Sequence, residues 1–376
     1  MKKIGILTSS RADYSIYIPL INELVSEDAF LVEIIVFGTH MSKKHGFTLD
    51  AIKQDSYASI KCVDIGYTSD DTPRGISTAM GQTTLKFAEY WGRNHYDLII
   101  CLGDRYEMFA AVSAALPFQF KIAHLYGGET TLGAIDNSFR HCLTHFSNFH
   151  FVSCERYENK VIELTDNADH VFNCGHLSID NLKNLTLLTK FDFKKLFGID
   201  FIVPTILCTF HPETIEFFRN EEYAIVLSTV FENLSNYQIL ITMPNTDIGG
   251  MVIRRYFEKL EKKCNWVYCR ENLGTIGYLS AMKHCKFMLG NTSSGFVEAS
   301  FFPKYVINLG DRQKGRILTP NIIQTSITYI DIMTSINLIE NKKSNLENLN
   351  FYGNGDTAKK IKKALNLCFE SSKLNK

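Results

Sequence analysis

An acid and a base side by side at the end of an apolar run can bind and transfer protons. Such a pair closes the stretch "DLIICLGDRYEM" (97–108), where Asp104 and Arg105 follow five residues that favour burial. Ligands of open parallel sheets bind beyond the carboxyl ends of the strands, so Asp104 and Arg105 are placed for a crevice rather than for the core. The same junction recurs. "LTSSRADYS" puts Arg11 and Ser15 at a strand-to-helix turn, where a helix N-terminus favours anions. "LYGGE" places Glu129 after two glycines that let the chain turn tightly. Asp136 in "GAIDNSFRH" stands one helical turn before Arg140 and His141, neighbours that hold a carboxylate ionised. These acids are candidates for moving a proton.

The second half carries a different chemistry. "TFHPET" puts His211, and "TMPNTD" puts Asn245, at strand ends. "GNTSSGFVEAS" offers the hydroxyls of Thr292, Ser293 and Ser294, backbone amides and a helix dipole, an anion cradle with Glu298 just beyond. No GK[ST] and no GxGxxG after the first strand appears, so the usual ATP-hydrolysing and nicotinamide fingerprints are missing. Taken singly, each motif also has a plain structural reading. An Asp at a strand–helix junction caps the helix, and Gly-Asn-Ser loops are often simple turns. Together they point to a nucleotide-diphosphate ligand in a cleft between two Rossmann-like domains.

The elements that must position these residues follow from the hydrophobic pattern. Apolar runs recur at 3–9, 31–38, 97–103, 121–128, 150–154 and 170–175, then at 205–210, 237–243, 265–270, 286–291 and 304–310. Runs without strict alternation mark strands covered on both faces, and the stretches between carry helical spacing. The expectation is α/β architecture: two Rossmann-like domains with parallel sheets. Residues 1–175 form the first domain with the acid–base residues, and 176–355 the second. Residues 356–376 read as an amphipathic helix that packs back on the first.

The totals set bounds. A chain of 376 residues exceeds what one core usually organises. Forty Lys+Arg balance forty Asp+Glu, which argues against nucleic acid and membrane surfaces as partners. Ten cysteines without a CxxC pair read as buried thiols in a reducing compartment rather than as a disulfide or zinc framework. No apolar run approaches the ~18 residues of a membrane span, and the apolar run at the N-terminus is too short for a signal peptide. The expected location is the cytoplasm.

The ordered set "SSRADYS", "GTHMSKKHG", "GDRYEMFA", "HLYGGETTLGAIDNSFRH", "FHPET", "MPNTD", "GNTSSGFVE" and "INLGDRQKGR" runs along nearly the whole chain. It resembles the hydrolysing UDP-N-acetylglucosamine 2-epimerases of sialic acid biosynthesis, the NeuC type. The resemblance implies a GT-B-like fold with an active site in the interdomain cleft, no cofactor and no metal, and a homodimer or homotetramer. It implies anti elimination of UDP across C1 and C2 of the sugar, then hydration of the glycal to free N-acetylmannosamine. Carried over by motif, Arg11, Ser15, Arg105, His211, Asn245, Thr292, Ser293, Ser294, Glu298 and Arg312 contact UDP, with Glu298 accepting from ribose hydroxyls. Asp104, Glu129, Asp136 and His211 form the catalytic set.

One departure matters. Many relatives place a Glu where this chain has Tyr126 in "HLYGGE". A phenol titrating near ~10 is no simple substitute for a carboxylate base, so the base assignment moves to Asp104 or Glu129. The change also admits a more apolar sugar pocket, with Tyr126 and Leu132 beside it. That would suit the alternative substrate UDP-N,N'-diacetylbacillosamine of the legionaminic acid route. A glycosyltransferase of the same fold and a non-catalytic nucleotide-sugar sensor are the remoter readings.

Overall fold

The computed structural model describes residues 1–42, 47–55, 59–66, 72–132, 135–213, 216–244, 249–342, 346 and 350–374. Asn245, one of the expected nucleotide contacts, lies outside them. The chain divides into two compact units.

The first unit comprises 1–129, 136–183 and 352–376. Its strands are β1 (Lys2–Thr8), β2 (Phe30–Val36), β3 (Ser59–Cys62), β4 (Leu98–Leu102), β5 (Ile122–Leu125), β6 (Phe149–Val152) and β7 (Val171–Asn173). Between them run α1 (Arg11–Val25), α2 (Leu49–Asp55), α3 (Pro73–Trp91), α4 (Tyr106–Ser113), α5 (Asp136–Phe146) and α6 (Glu155–Thr165), followed by α7 (Leu177–Asn184). The sheet is parallel throughout, in the order β3-β2-β1-β4-β5-β6-β7. The strand order reverses between β1 and β4, the switch point at which loops splay apart and ligands bind.

The second unit comprises 130–135 and 184–351. It holds α8 (Lys190–Phe197), β8 (Thr205–Thr209), α9 (Asn220–Glu232), β9 (Gln238–Thr242), α10 (Gly250–Lys263), β10 (Val267–Arg270), α11 (Gly274–His284) and β11 (Phe287–Gly290). After a short 3₁₀ turn, Ser293–Gly295, come α12 (Glu298–Phe301), β12 (Val306–Leu309), β13 (Ile322–Thr325) and α13 (Tyr329–Glu340). This sheet is also parallel, in the order β10-β9-β8-β11-β12-β13, with its switch point between β8 and β11.

The uninterrupted apolar runs have their physical cause in the layers. In β4, Leu98, Ile100 and Leu102 enter the core under α1, while Ile99 and Cys101 enter the core under α3 and α4. In β8, Ile206 and Cys208 face one core of the second unit and Leu207 the other. Successive side chains of a strand point to opposite faces, so a strand with helices on both sides needs apolar residues at every position.

The division falls after Lys183 rather than after 175, because α7 is tied to the last helix, α14 (Thr357–Leu374). The buried carboxylate of Asp180 accepts from the backbone N–H of Thr357 at 3.1 Å and of Ala358 at 3.0 Å, satisfying the first amides of α14. Helix α14 lies against the first unit: Ile361, Leu365 and Phe369 enter its core and Lys362 pairs with Glu23 on α1 at 2.7 Å. Strands β3 and β13 are additions to the expected set. Both are four-residue edge strands of mixed composition, "SIKC" and "IIQT", with no fully apolar run.

Candidate active site

In the first unit the chemistry collects around Arg140 of α5. Only 2% of this residue is exposed. Its guanidinium forms an ion pair with Asp104, at the carboxyl end of β4, and donates through Nη1 to the backbone carbonyl of Glu129 at 2.8 Å. One buried cation therefore joins the loops after β4 and β5. Asp104 keeps part of its side chain exposed, and Glu129 is buried, its Oε1 accepting from the Ser153 hydroxyl at 3.3 Å. Asp136 is the half-buried first residue of α5. Three of the expected catalytic acids thus stand on the carboxyl-end side of one sheet, and the structure links two of them through Arg140.

A second layer holds this arrangement. His124 on β5 is fully buried. Its Nε2–H donates to the carbonyl of Gly103 at 2.8 Å, and Nδ1 accepts from the Thr144 hydroxyl at 3.2 Å. Burial pushes its pKa down to about 3, so it is a neutral brace fixing the residue before Asp104. Gly128 has φ +78°, and a Cβ there would lie 2.5 Å from the Tyr157 carbonyl. Only glycine lets the chain pass so close to α6 on its way to Glu129.

Arg105 is half-exposed and makes a forked contact with Glu107, 3.2 Å from Nε to Oε2 and 3.0 Å from Nη2 to Oε1. Glu107 is wholly buried and was not read as a site residue. It sets the direction of Arg105 by gripping the planar guanidinium at two points. Arg11 is exposed at the start of α1, and Ser15 donates its hydroxyl to the Arg11 carbonyl at 2.9 Å. The N-terminus of α1 carries its own acid. Asp13 Oδ2 accepts from Ser9 N–H, Ser9 Oγ–H and Ser10 N–H at 3.0, 2.7 and 3.1 Å, and Ser10 completes a capping box. Those donors, expected to favour an outside anion, serve an internal one.

Tyr126 differs from the apolar pocket wall expected of it. With φ +68° its ring turns into the core of the first unit, stacked on His176 at 4.0 Å between centroids. Its hydroxyl accepts from the backbone N–H of Leu177, the first residue of α7, at 2.9 Å. Leu132 is 55% exposed.

In the second unit the loops after β8 and β11 are laced across the switch point. His211 donates its N–H to Asn291 Oδ1 at 2.7 Å and accepts from Asn291 Nδ2 at 2.8 Å through its carbonyl. Gln313 adds a bond to the Asn291 carbonyl at 2.8 Å. Thr292, Ser293 and Ser294 follow directly, Ser293 exposed and the other two half-buried. The Ser294 hydroxyl is 2.6 Å from the Tyr278 hydroxyl and 3.1 Å from that of Thr292. Burial raises the Tyr278 phenol to about 12, so it stays protonated and able to orient Ser294. Gly290, with φ +147°, lies so close to β8 that a Cβ would stand 2.0 Å from the Thr209 carbonyl.

Glu298 opens α12 and is half-buried. Arg312 donates from its backbone to Glu213 Oε1 at 3.0 Å and from Nη1 to the Pro212 carbonyl at 2.9 Å. Burial pushes the Glu213 carboxyl above its ordinary value, an effect the Arg312 N–H and charge offset only in part. Asn291, Glu213, Gln313 and Tyr278, which brace the expected contacts, are not among the residues the sequence singled out. The first two sat inside the motifs "GNTSSG" and "FHPET", while Tyr278 carried no local signal. Chemically, this half offers hydroxyls and a short turn suited to a phosphate, an acid for ribose hydroxyls, and cations for charge. Among the described residues no group of three His, Cys, Asp or Glu could hold a metal ion, and no helix is long and apolar enough to cross a membrane.

Two parallel α/β units, each with polar loops at the switch point of its sheet, define the GT-B-like class. A crystal structure of UDP-GlcNAc 2-epimerase from Neisseria meningitidis bound to UDP-GlcNAc shares the fold with a TM-score of 0.81, at 18% identity, covering 97% of this chain and 99% of that one. The family model for UDP-N-acetylglucosamine 2-epimerase matches residues 22–366, and the chain belongs to that family; it is an enzyme, a UDP-sugar 2-epimerase. It is 34% identical over 331 residues to the GDP/UDP-N,N'-diacetylbacillosamine 2-epimerase (hydrolyzing) of Campylobacter jejuni, covering 88% of this chain and 86% of that protein. It is 31% identical over 344 residues to polysialic acid biosynthesis protein P7 of Escherichia coli, covering 91% of this chain and 87% of that protein.

Proposed function

We propose that this chain is a hydrolysing 2-epimerase that converts a UDP-linked 2-acetamido sugar and water to UDP and the free C2-inverted sugar. The substrate we assign first is UDP-N,N'-diacetylbacillosamine. The observation that carries this choice is the 34% identity to the Campylobacter enzyme whose name gives that sugar linked to GDP or UDP. The second reading is UDP-N-acetylglucosamine giving N-acetylmannosamine for sialic acid biosynthesis, favoured by the 31% identity to the Escherichia coli polysialic acid protein.

The chemistry runs in two steps. A carboxylate of the first unit removes the C2 proton while the C1–O bond breaks and its electron pair leaves with UDP. Water then adds across the resulting double bond, its oxygen to C1 and a proton to C2 from the opposite face. Asp104, oriented by Arg140, is the base we favour, with Glu129 and Asp136 as the other proton-transfer groups. The leaving diphosphate is stabilised by Thr292, Ser293, Ser294, His211 and Arg312, with Glu298 on the ribose and Arg11, Ser15, Arg105 and Asn245 adding contacts. No cofactor takes part, and the enzyme works in the cytoplasm as a homodimer or homotetramer.

The test is a product assay with both sugar nucleotides in heavy water. Release of UDP and a free sugar deuterated at C2 is expected, with kcat/KM higher for the diacetamido substrate. A product still linked to UDP refutes the hydrolysing reading. Preference for UDP-N-acetylglucosamine installs the second one. UDP release only when an acceptor is added, without exchange at C2, would mark a glycosyltransferase.

A further inference from the structure

The first unit holds a cavity that the proposed chemistry does not use. It measures about 400 Å³ and is lined in part by Lys121, His145, Asn148, His150 and His170. These residues stand at the amino ends of the strands: Lys121 just before β5, His150 near the start of β6, and His170 just before β7. The acids of the candidate active site stand at the opposite, carboxyl ends of the same sheet. Three imidazoles and an ammonium line it, from the turn before β5, α5, β6 and the turn before β7. Among the described residues that line the cavity, none is acidic.

His150 is the residue that needs explaining. It is only 5% exposed, and its Nδ1 is buried without a hydrogen-bond partner. Its backbone N–H is committed to the His170 carbonyl at 2.9 Å, so the orphan is the imidazole alone. Buried polar groups in native proteins are satisfied, and an exception asks for an unseen partner. Asn148 has its side-chain oxygen tied up by the Ile122 N–H at 2.9 Å, which leaves its NH₂ as donor. Lys121 lies over the Phe149 ring, 5.7 Å from its centroid, at the same end of the sheet. Every group here that is left over is a donor or becomes one on protonation.

We propose that this cavity is a second ligand site, for a small phosphate-bearing molecule whose oxyanion is held by His150 with Lys121, His145 and His170. The volume exceeds a bare phosphate, which leaves room for an organic part beside it. In the free protein His150 is neutral. Burial and the neighbouring His170 and His145 lower its pKa to about 4. A bound oxyanion reverses that balance by favouring the imidazolium, so binding takes up protons and tightens as pH falls.

The probe is inorganic phosphate, added to the full chain with UDP present in excess, while the imidazole nitrogens are followed by long-range proton–nitrogen NMR. His150 resonances should shift saturably, with affinity for the phosphate dianion rising at least ~3-fold between pH ~7.5 and pH ~6. The exposed pair His145→Gln/His170→Gln should weaken binding about 10-fold or more, in line with loss of two charge-assisted bonds. That variant carries the test even where His150→Gln does not fold. Shifts that chloride reproduces at equal ionic strength, shifts that UDP abolishes, or a double variant that binds phosphate as the parent does would each overturn the proposal. Should the chain not bind UDP, the titration without it remains a valid reading of this cavity alone.

Discussion

At the residue scale the acid–base assignment rests on one buried guanidinium. Arg140 holds Asp104 by an ion pair and the Glu129 backbone by a hydrogen bond, so the two acids keep a fixed relation. Asp104→Asn preserves the shape and leaves an amide oxygen for Arg140 to donate to, but it removes the carboxylate proposed as the base. Turnover should fall by ~10²–10⁴, the usual contribution of a general base, while UDP affinity measured by calorimetry changes little. Turnover unaffected by the change would take Asp104 out of the mechanism. Tyr126 marks the limit of reading one residue against a family pattern. The letter shows a phenol where the resemblance implies a carboxylate. It does not show that the ring turns inward onto His176 and that the hydroxyl braces α7.

At the element scale, the phosphate contact proposed for the second unit depends on how closely β11 approaches β8. Gly290 pairs in register with Thr209, and its positive φ and lack of a Cβ let Asn291 reach across to His211. Gly290→Ala forces a carbon to within 2.0 Å of a backbone oxygen. The strand must shift, at a cost of order 1–3 kcal/mol or more for the strained backbone and the displaced carbonyl. The expected outcome is a lower urea midpoint together with weaker UDP binding. A stable variant with parental UDP affinity would show that this approach is not needed. The capping box of α1 works the other way. Asp13 makes that helix self-sufficient at its N-terminus, so the contact proposed for Arg11 would come from a surface side chain rather than from a shared amide cradle.

At the scale of the whole molecule, neutral buried histidines set the response to acid. Burial lowers His40 and His150 to about 4 and His124 to about 3. The unfolded chain protonates these imidazoles below about 6.5, while the folded chain does not until pH 3–4. The unfolded state therefore holds more protons across that window, and the stability they contribute, complete above it, is lost as pH falls through it. Each histidine contributes a slope of up to ~1.4 kcal/mol per pH unit. Urea unfolding at a series of pH values between ~7 and ~4.5 should show a steep decline that is shallower in His40→Gln. A flat profile would contradict the burial of these rings.

The sequence by itself determined the class of fold and most of the polar positions. Strands buried on both faces must be apolar throughout, and a strand end facing a ligand must turn polar at once. Both leave marks within a few adjacent residues, which is why "LIICLGDR" and "FMLGNTSS" could be read directly. Edge strands β3 and β13 left no such mark, because one side of each is unpaired and their residues are mixed. The partnerships were decided by tertiary structure alone. That Arg140 serves Asp104 across 36 positions, that Asn291 joins His211 across 80 positions, and that Asp180 begins a helix 177 residues later depend on which elements become neighbours. A local pattern fixes the face on which a side chain stands, whereas the partner it meets is set by strand order, and that order is a property of the whole sheet.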